Sequence, residues 1–152
     1  HESTRLCLGL IEQYLHAGDA VLDVGTGSGI LAIAAKKLGA AQVRGLDIDP
    51  VAVRSAGENA LMNGVEIEFE TAEIAGEKGS FQLIVANIVA DVILSIAPDA
   101  FKRLSPGGLL IASGIIRERE GEVAEALRAV GFTQVESRAE GEWCALCFKK
   151  GC

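Results

Sequence analysis

The chain has 152 residues, the usual size of one domain, and 49% of them are hydrophobic, which is enough for a packed core and excludes a disordered segment. Its net charge of −7 argues against sequence-independent binding of nucleic acid. No uncharged run approaches the ~20 apolar residues that a membrane-spanning helix needs. We therefore expect one domain over residues 1–152, without a membrane segment or direct nucleic-acid binding. An acidic chain is compatible with a basic substrate or a cationic cofactor.

The hydrophobic pattern alternates between helical and strand periods along the chain. Helical periodicity, with an Asp49-Pro50 start for the third helix, predicts helices over 3–15, 30–38, 50–62, 90–104 and 117–130. The fourth helix is expected to break or restart at Pro98. Apolar and alternating runs predict strands over 20–24, 42–47, 65–70, 81–86, 109–113, 132–138 and 142–149, with a turn at 105–108.

This order of elements predicts an α/β fold. Strands that alternate with helices form a parallel sheet covered on both faces. The last two strands are joined only by residues 139–141, and so short a connection cannot cross over, so that they must pair antiparallel. We predict a doubly wound, mostly parallel seven-stranded sheet that ends in a C-terminal antiparallel hairpin.

The cysteines do not predict a metal site. Cys144 and Cys147 have the C-x-x-C spacing, but no second ligand pair for zinc is present, and Cys7 and Cys152 stand alone. The pair lies in a predicted strand, where side chains three residues apart point to opposite faces. We expect reduced cysteines, no metal and, because no signal peptide is visible, a cytoplasmic protein.

A glycine-rich turn joins the first strand of the sheet to the helix that follows it. Gly25, Gly27 and Gly29 follow Asp23 in the spacing D-x-G-x-G-x-G, and glycine allows a backbone to approach a ligand closely. A dinucleotide fingerprint would need glycine at Ile30, and no Lys-Ser/Thr pair follows as in a phosphate-binding loop. The turn therefore indicates either a ligand other than a dinucleotide or a tight turn without a ligand.

Acidic residues follow the neighbouring strand. Asp47 comes 22 residues after Gly25, where a carboxylate can accept hydrogen bonds from both hydroxyls of a ribose, and Ile48 can lie against an adenine. A nucleoside without a phosphate-binding signature suggests S-adenosylmethionine, whose sulfonium is cationic. The mouth of the sheet would then be lined by Asp23, Asp47, Asp49 and Glu73, with Asp49 also capping the third helix and Glu70 more simply a surface acid.

Asn87 closes the otherwise apolar fourth predicted strand. Its side-chain carbonyl can accept a hydrogen bond from an amine and so orient the nitrogen lone pair at a methyl group. The alternative is that Asn87 caps the helix that follows, which is a common role for asparagine. The convergence of the glycine turn and Asp47 on the same edge of the sheet favours the first interpretation.

These motifs resemble those of the class I S-adenosylmethionine methyltransferases, and more narrowly the catalytic domain of the ribosomal protein L11 methyltransferase (PrmA) family. The resemblance covers essentially the whole chain and is carried by residues 23–35, 47–50, 85–88 and 141–143, and by His1-Glu2-Ser3-Thr4 as the end of a Gly-Thr-Gly-x-His-x-Thr-Thr segment. It implies a Rossmann-like methyltransferase fold. It also implies methyl transfer from S-adenosylmethionine to lysine or N-terminal amino groups of a ribosomal protein.

The resemblance also assigns residues to the site. It implies that Thr4, Gly25, Asp47 and Asn87 contact the cofactor and that Asn87, the catalytic residue, lies near the incoming amine, with no essential general base. Since the chain starts at His1 without Met, we expect a fragment that lacks the family's N-terminal substrate-recognition domain. The alternatives are a small-molecule methyltransferase or a cofactor-binding module that is inactive without that domain.

Overall fold

The computed structural model describes residues 1–151, so Cys152 lies outside the described residues. Its helices are α1 (Glu2–Tyr14), α2 (Ile30–Lys37), α3 (Pro50–Met62), α4 (Ala90–Arg103) and α5 (Glu120–Val130), and 3₁₀ turns cover Ile74–Gly76 and Arg117–Arg119. Its strands are β1 (Ala20–Val24), β2 (Gln42–Asp47), β3 (Glu68–Thr71), β4 (Phe81–Asn87), β5 (Leu104–Ile116), β6 (Thr133–Glu140) and β7 (Trp143–Lys149).

The seven strands form one sheet in the order β3-β2-β1-β4-β5-β7-β6. The pairs from β3 to β5 are parallel, whereas β7 pairs antiparallel with both β5 and β6. The predicted doubly wound sheet and its C-terminal antiparallel hairpin are thus confirmed. The strand order reverses between β1 and β4, and the carboxyl ends of strands at such a switch point form the crevice that binds ligands in this class of fold.

Two apolar cores lie on the two faces of the sheet. One contains Leu22, Ile84 and Leu146 with side chains of α4 and α5, and the other contains Val21, Val85 and Ala145 with side chains of α1 and α2. Burying each such Leu, Ile or Val side chain stabilises the fold by about 1.5–3 kcal/mol. Cys144 belongs to the first core and Cys147 to the second, so these free cysteines do point to opposite faces as predicted.

Two local predictions are wrong. Helix α4 runs through Pro98 without a break, because this proline is exposed and water can solvate the carbonyl that loses its backbone partner. The predicted turn at 105–108 is part of β5. There Gly107 N–H donates to the carbonyl of Lys150 and Lys150 N–H donates to that of Gly108, both at 2.9 Å, so pairing beside β7 keeps this segment extended.

Gly45 in β2 faces the ring of Phe69, and this contact makes a stability prediction. A Cβ at Gly45 would lie 2.5 Å from Phe69 Cδ1 and 2.9 Å from Thr26 Oγ1. We expect Gly45→Ala to lower the free energy of unfolding by about 1–3 kcal/mol, as overpacking does. Gly57 in α3 has no neighbour near its Cβ position, so Gly57→Ala is expected to raise it by up to about 1 kcal/mol. Urea titrations of the two variants measure these free energies of unfolding. A change of the same sign in both variants would contradict the prediction.

Candidate active site

The glycine-rich turn leads from the carboxyl end of β1 into α2, and its backbone is hydrogen-bonded to the carboxyl end of β2. The N–H groups of Gly25 and Thr26 both donate to the carbonyl of Leu46 at 2.8 Å. Gly25 has φ +73°, and a Cβ on it would lie 2.6 Å from Ile88 Cγ2, so no larger residue fits between this turn and the end of β4. Gly29 is the N-cap of α2. The turn thus lies at the switch point with its backbone close to the crevice.

Asp47 links that turn to the start of α3. Its Oδ2 accepts a hydrogen bond from Gly27 N–H at 2.9 Å, and its Oδ1 accepts one from Asp49 N–H at 3.0 Å. Asp49 in turn caps α3 by accepting from Val51 N–H at 2.9 Å, which is the role that the sequence assigned to it. Each oxygen of the Asp47 carboxylate retains a lone pair for a ligand hydroxyl.

A cavity of about 520 Å³ opens beside Asp47, a volume typical of small-molecule sites. Its lining is mainly apolar and includes Gly25, Asp47, Ile48, Glu73, Ile88 and Val92. Ile48 is 73% exposed and lines this cavity, so its side chain is open to a ligand there. The cavity therefore brings together Gly25, Asp47, Ile48 and Glu73, four of the residues that the sequence placed at this mouth.

Asn87 lies outside the cavity lining, at the end of β4 toward α1. Its Nδ2 donates to Thr4 Oγ1 at 3.4 Å, so the structure brings together two of the four residues for which the resemblance implies a cofactor contact. The alternative interpretation of Asn87 as a helix cap is wrong, because the N-cap of α4 is Val89 and no side chain caps that helix. The side chain of Asn87 is thus available for another role.

Asp23 differs from its expected place at the mouth. Its side chain is 1% exposed and Oδ2 accepts a hydrogen bond from the Thr26 hydroxyl at 2.8 Å, so it supports the glycine turn from beneath. Burial raises the pKa of this carboxyl to about 6, with a smaller increase from the charge of Asp47 and an opposing effect of the Thr26 hydrogen bond. The alternation of β1 directs Asp23 inward, onto the face that carries Val21.

The raised pKa of Asp23 predicts a pH dependence. The folded state binds more protons than the unfolded state between about pH 4 and pH 6, so Asp23 lowers stability progressively as the pH rises through this interval. Asp23→Asn removes the titration while keeping an acceptor for Thr26. Relative to wild type, the variant is expected to gain stability from pH 4 to pH 6 and to level off above pH 6. Urea unfolding of both proteins at several pH values checks this. A difference in the free energy of unfolding that stays constant with pH would contradict the prediction.

Two further residues, Glu70 and His1, have positions in the structure that bear on the sequence predictions. Glu70 forms a 2.7 Å ion pair with Arg44 on the surface, as expected of a surface acid. His1 caps α1, its Nδ1 accepting from Ser3 N–H at 3.2 Å, and its ring meets that of Trp143 edge to face.

Some cavity residues were not predicted from the sequence. They are Ile88 and the α4 residues Val92, Ser95 and Asp99. These residues follow Asn87 at intervals of three or four residues, and this helical spacing could have indicated that they share one face beside the site. Within residues 1–151, no helix is long and apolar enough to cross a membrane, and no group of three or more His, Cys, Asp or Glu side chains is placed to hold a metal ion.

Comparison with known proteins finds relatives along nearly the whole chain. A ribosomal protein L11 methyltransferase from an Exiguobacterium species is 50% identical over 154 residues, covering 99% of this chain and 49% of that protein. One from Geobacter metallireducens is 50% identical over 151 residues, covering 99% and 50%. The chain thus spans about half the length of the curated relatives it matches.

Solved structures give the same result for the fold. The crystal structure of a ribosomal protein L11 methylase from Lactobacillus delbrueckii subsp. bulgaricus superposes with a TM-score of 0.95 at 37% identity, covering 99% of this chain and 79% of that one. An RNA methyltransferase from Salinibacter ruber in complex with S-adenosyl-L-homocysteine, with a TM-score of 0.74 at 19% identity over 95% and 90% of the two chains, shares the Rossmann-like fold. The model of the ribosomal protein L11 methyltransferase (PrmA) family matches residues 1–151, and the chain belongs to that family.

Proposed function

We propose that this domain transfers a methyl group from S-adenosylmethionine to amino groups, of lysine or of a chain N-terminus, on a ribosomal protein. The observation that carries the proposal is the meeting of the glycine turn, Asp47 and a 520 Å³ apolar cavity at the switch point of the sheet. Membership of the PrmA family and the net charge of −7, which suits a basic ribosomal protein, support it. Such a substrate would place the activity in the cytoplasm.

The residues at the cavity fit a nucleoside with a cationic sulfur. Asp47 would accept hydrogen bonds from the ribose hydroxyls, Ile48 and Ile88 would contact the adenine, and Glu73 is available to its amino group. Gly25 and Gly27 leave the backbone of the turn uncovered, and Thr4 lies next to Asn87 at the other side. When bound, S-adenosylmethionine supplies a methyl group activated by its sulfonium.

The protein's part in the chemistry is to orient and desolvate the amine. A lysine amine has a pKa near 10.4 in water and arrives protonated, and an apolar surrounding such as that of Ile88 and Val89 favours the neutral, nucleophilic form. The Oδ1 atom of Asn87 would accept a hydrogen bond from the amine and direct its lone pair at the methyl group. Catalysis then depends on positioning and exclusion of water rather than on a strong base.

Two measurements test the proposal. Isothermal titration calorimetry of the 152-residue chain with S-adenosylmethionine is expected to show one site. A radiolabelled transfer assay on ribosomal proteins, with the chain alone and extended to the full length of its relatives, is expected to label an amine. Binding without labelling by either form would leave a cofactor-binding module, labelling of small amines only would indicate a small-molecule methyltransferase, and absence of binding would overturn the proposal.

A further inference from the structure

Strand β5 contains a β-bulge at Ser113 and Gly114. The register with β7 pairs Ala112 with Leu146 and then Ile115 with Cys144, so that two residues of β5 stand opposite one residue of β7. Such bulges bend a strand and redirect side chains next to active sites. This one lies at the carboxyl end of β5, where Ser113 is in register with Asn87 of β4.

The bulge leaves no room for a side chain beside the amide of Asn87. Gly114 has φ +82°, and a Cβ built on it would lie 2.9 Å from Asn87 Oδ1 and within 3.2 Å of both the N and the O of Ile88. Ser113 contributes its carbonyl, which accepts from Ile88 N–H at 3.0 Å. The space that a side chain at 114 would need is therefore occupied by the oxygen proposed to receive the amine.

A second contact fixes the bulge to α1. The hydroxyl of Ser113 is fully buried and donates to the carbonyl of Ser3 at 2.7 Å, one residue before Thr4. The Asn87 amide thus has Thr4 at its Nδ2 and Gly114 at its Oδ1, and Ser113 holds these two neighbours together. The orientation of the Asn87 amide is therefore limited on one side by a residue of α1 and on the other by a residue of β5.

We infer that Gly114 is a positioning residue for methyl transfer, and that the Ser113–Gly114 bulge sets the orientation of the Asn87 amide. This inference rests on the proposed function of Asn87. Because a Cβ at position 114 would come closest to Asn87 Oδ1, a side chain there displaces the amide, and misplacement of a reacting group by about 1 Å lowers a rate by as much as 100-fold.

The test compares Gly114→Ala with Gly79→Ala. Gly79 has φ +86°, precedes β4 at its opposite end and has no neighbour within 4 Å of its Cβ position, so it carries the same backbone strain without the contact. Gly114→Ala is expected to lower kcat of methyl transfer by about 10- to 100-fold, with the cofactor Kd close to that of the control. Gly79→Ala is expected to keep the wild-type kcat with a similar loss in Tm. Equal kcat in the two variants overturns the inference.

A double-mutant cycle and a spectroscopic measurement separate this inference from the proposed function. In an Asn87→Ala background, Gly114→Ala is expected to cause no further loss of kcat, whereas an additive loss overturns the inference. The side-chain amide pair of Asn87 in a ¹⁵N spectrum, assigned by its absence in Asn87→Ala, is expected to shift in Gly114→Ala and not in Gly79→Ala.

The spectra decide the placement of Asn87 whether or not methyl transfer is observed. If Gly114→Ala does not fold, Ser113→Ala, which removes the hydroxyl bond to Ser3 without adding atoms, is expected to shift the same pair. If the side-chain amide signals of Asn87 keep their wild-type shifts in the folded variants, the inference is overturned, even if the domain methylates its substrate. Failure to bind S-adenosylmethionine would instead contradict the proposed function.

Discussion

Asp47→Ala is expected to weaken S-adenosylmethionine binding by about 1–3 kcal/mol, or roughly 5- to 150-fold in Kd. The loss has two sources. The ribose hydroxyls would lose their charged acceptor, and the N–H groups of Gly27 and Asp49 would lose theirs, which frees the glycine turn from β2. Titration calorimetry measures the change.

Two further variants identify the cause of that loss. Glu70→Ala removes the same charge from the surface ion pair with Arg44, outside the cavity, and is expected to bind the cofactor as wild type does. Asp47→Asn keeps the size of the side chain but replaces one acceptor oxygen with a donor, and is expected to weaken binding nearly as much. An unchanged Kd for Asp47→Ala would remove Asp47 from the site.

Asn87→Ala is expected to lower the rate of methyl transfer by about 100-fold, the effect of losing one group that orients the reacting atoms. Cofactor affinity is expected to change far less, because the Asn87 side chain lies outside the cavity that contains Asp47. A radiolabelled transfer assay with the ribosomal protein gives the rate, and calorimetry gives the affinity.

Asn63→Ala is the matched control for that variant. Asn63 is an exposed asparagine at the end of α3, where its side chain bonds to Lys37 and Asn59, so its loss is expected to leave transfer unchanged. A transfer rate for Asn87→Ala equal to that of Asn63→Ala would show that Asn87 has no part in catalysis.

The architecture was largely predictable from the sequence because it depends on local patterns. Continuous apolar runs marked the buried parallel strands, and Asp49-Pro50 marked the start of α3 correctly. The short 139–141 connection required the antiparallel pairing of β6 with β7. The insertion of β7 between β5 and β6 was not predictable, since it depends on the relative stability of long-range strand pairs.

The site was predictable where the carboxyl ends of neighbouring strands decide it. Gly25 and Asp47 meet for this reason. The alternation of β1 places Asp23 on the face of Val21, but the near-complete burial of its side chain depends on how the rest of the chain packs over the end of β1, which no local pattern reveals. The β-bulge at Gly114 was missed, although a glycine near the end of a strand pattern is a known signal of a bulge.

The position of β7 between β5 and β6 has a consequence for folding during synthesis. Strands β1 to β4, which carry the glycine turn and Asp47, leave the ribosome before the hairpin, so the half of the site for the methyl donor can begin to assemble early. The part of the site proposed to orient the acceptor amine, Asn87 and the β5 bulge, depends on β5, which lacks its partner on one side until residues 143–149 are synthesised. A chain that stops short of β7 would therefore expose an unpaired strand edge and lack the support that orients its acceptor group.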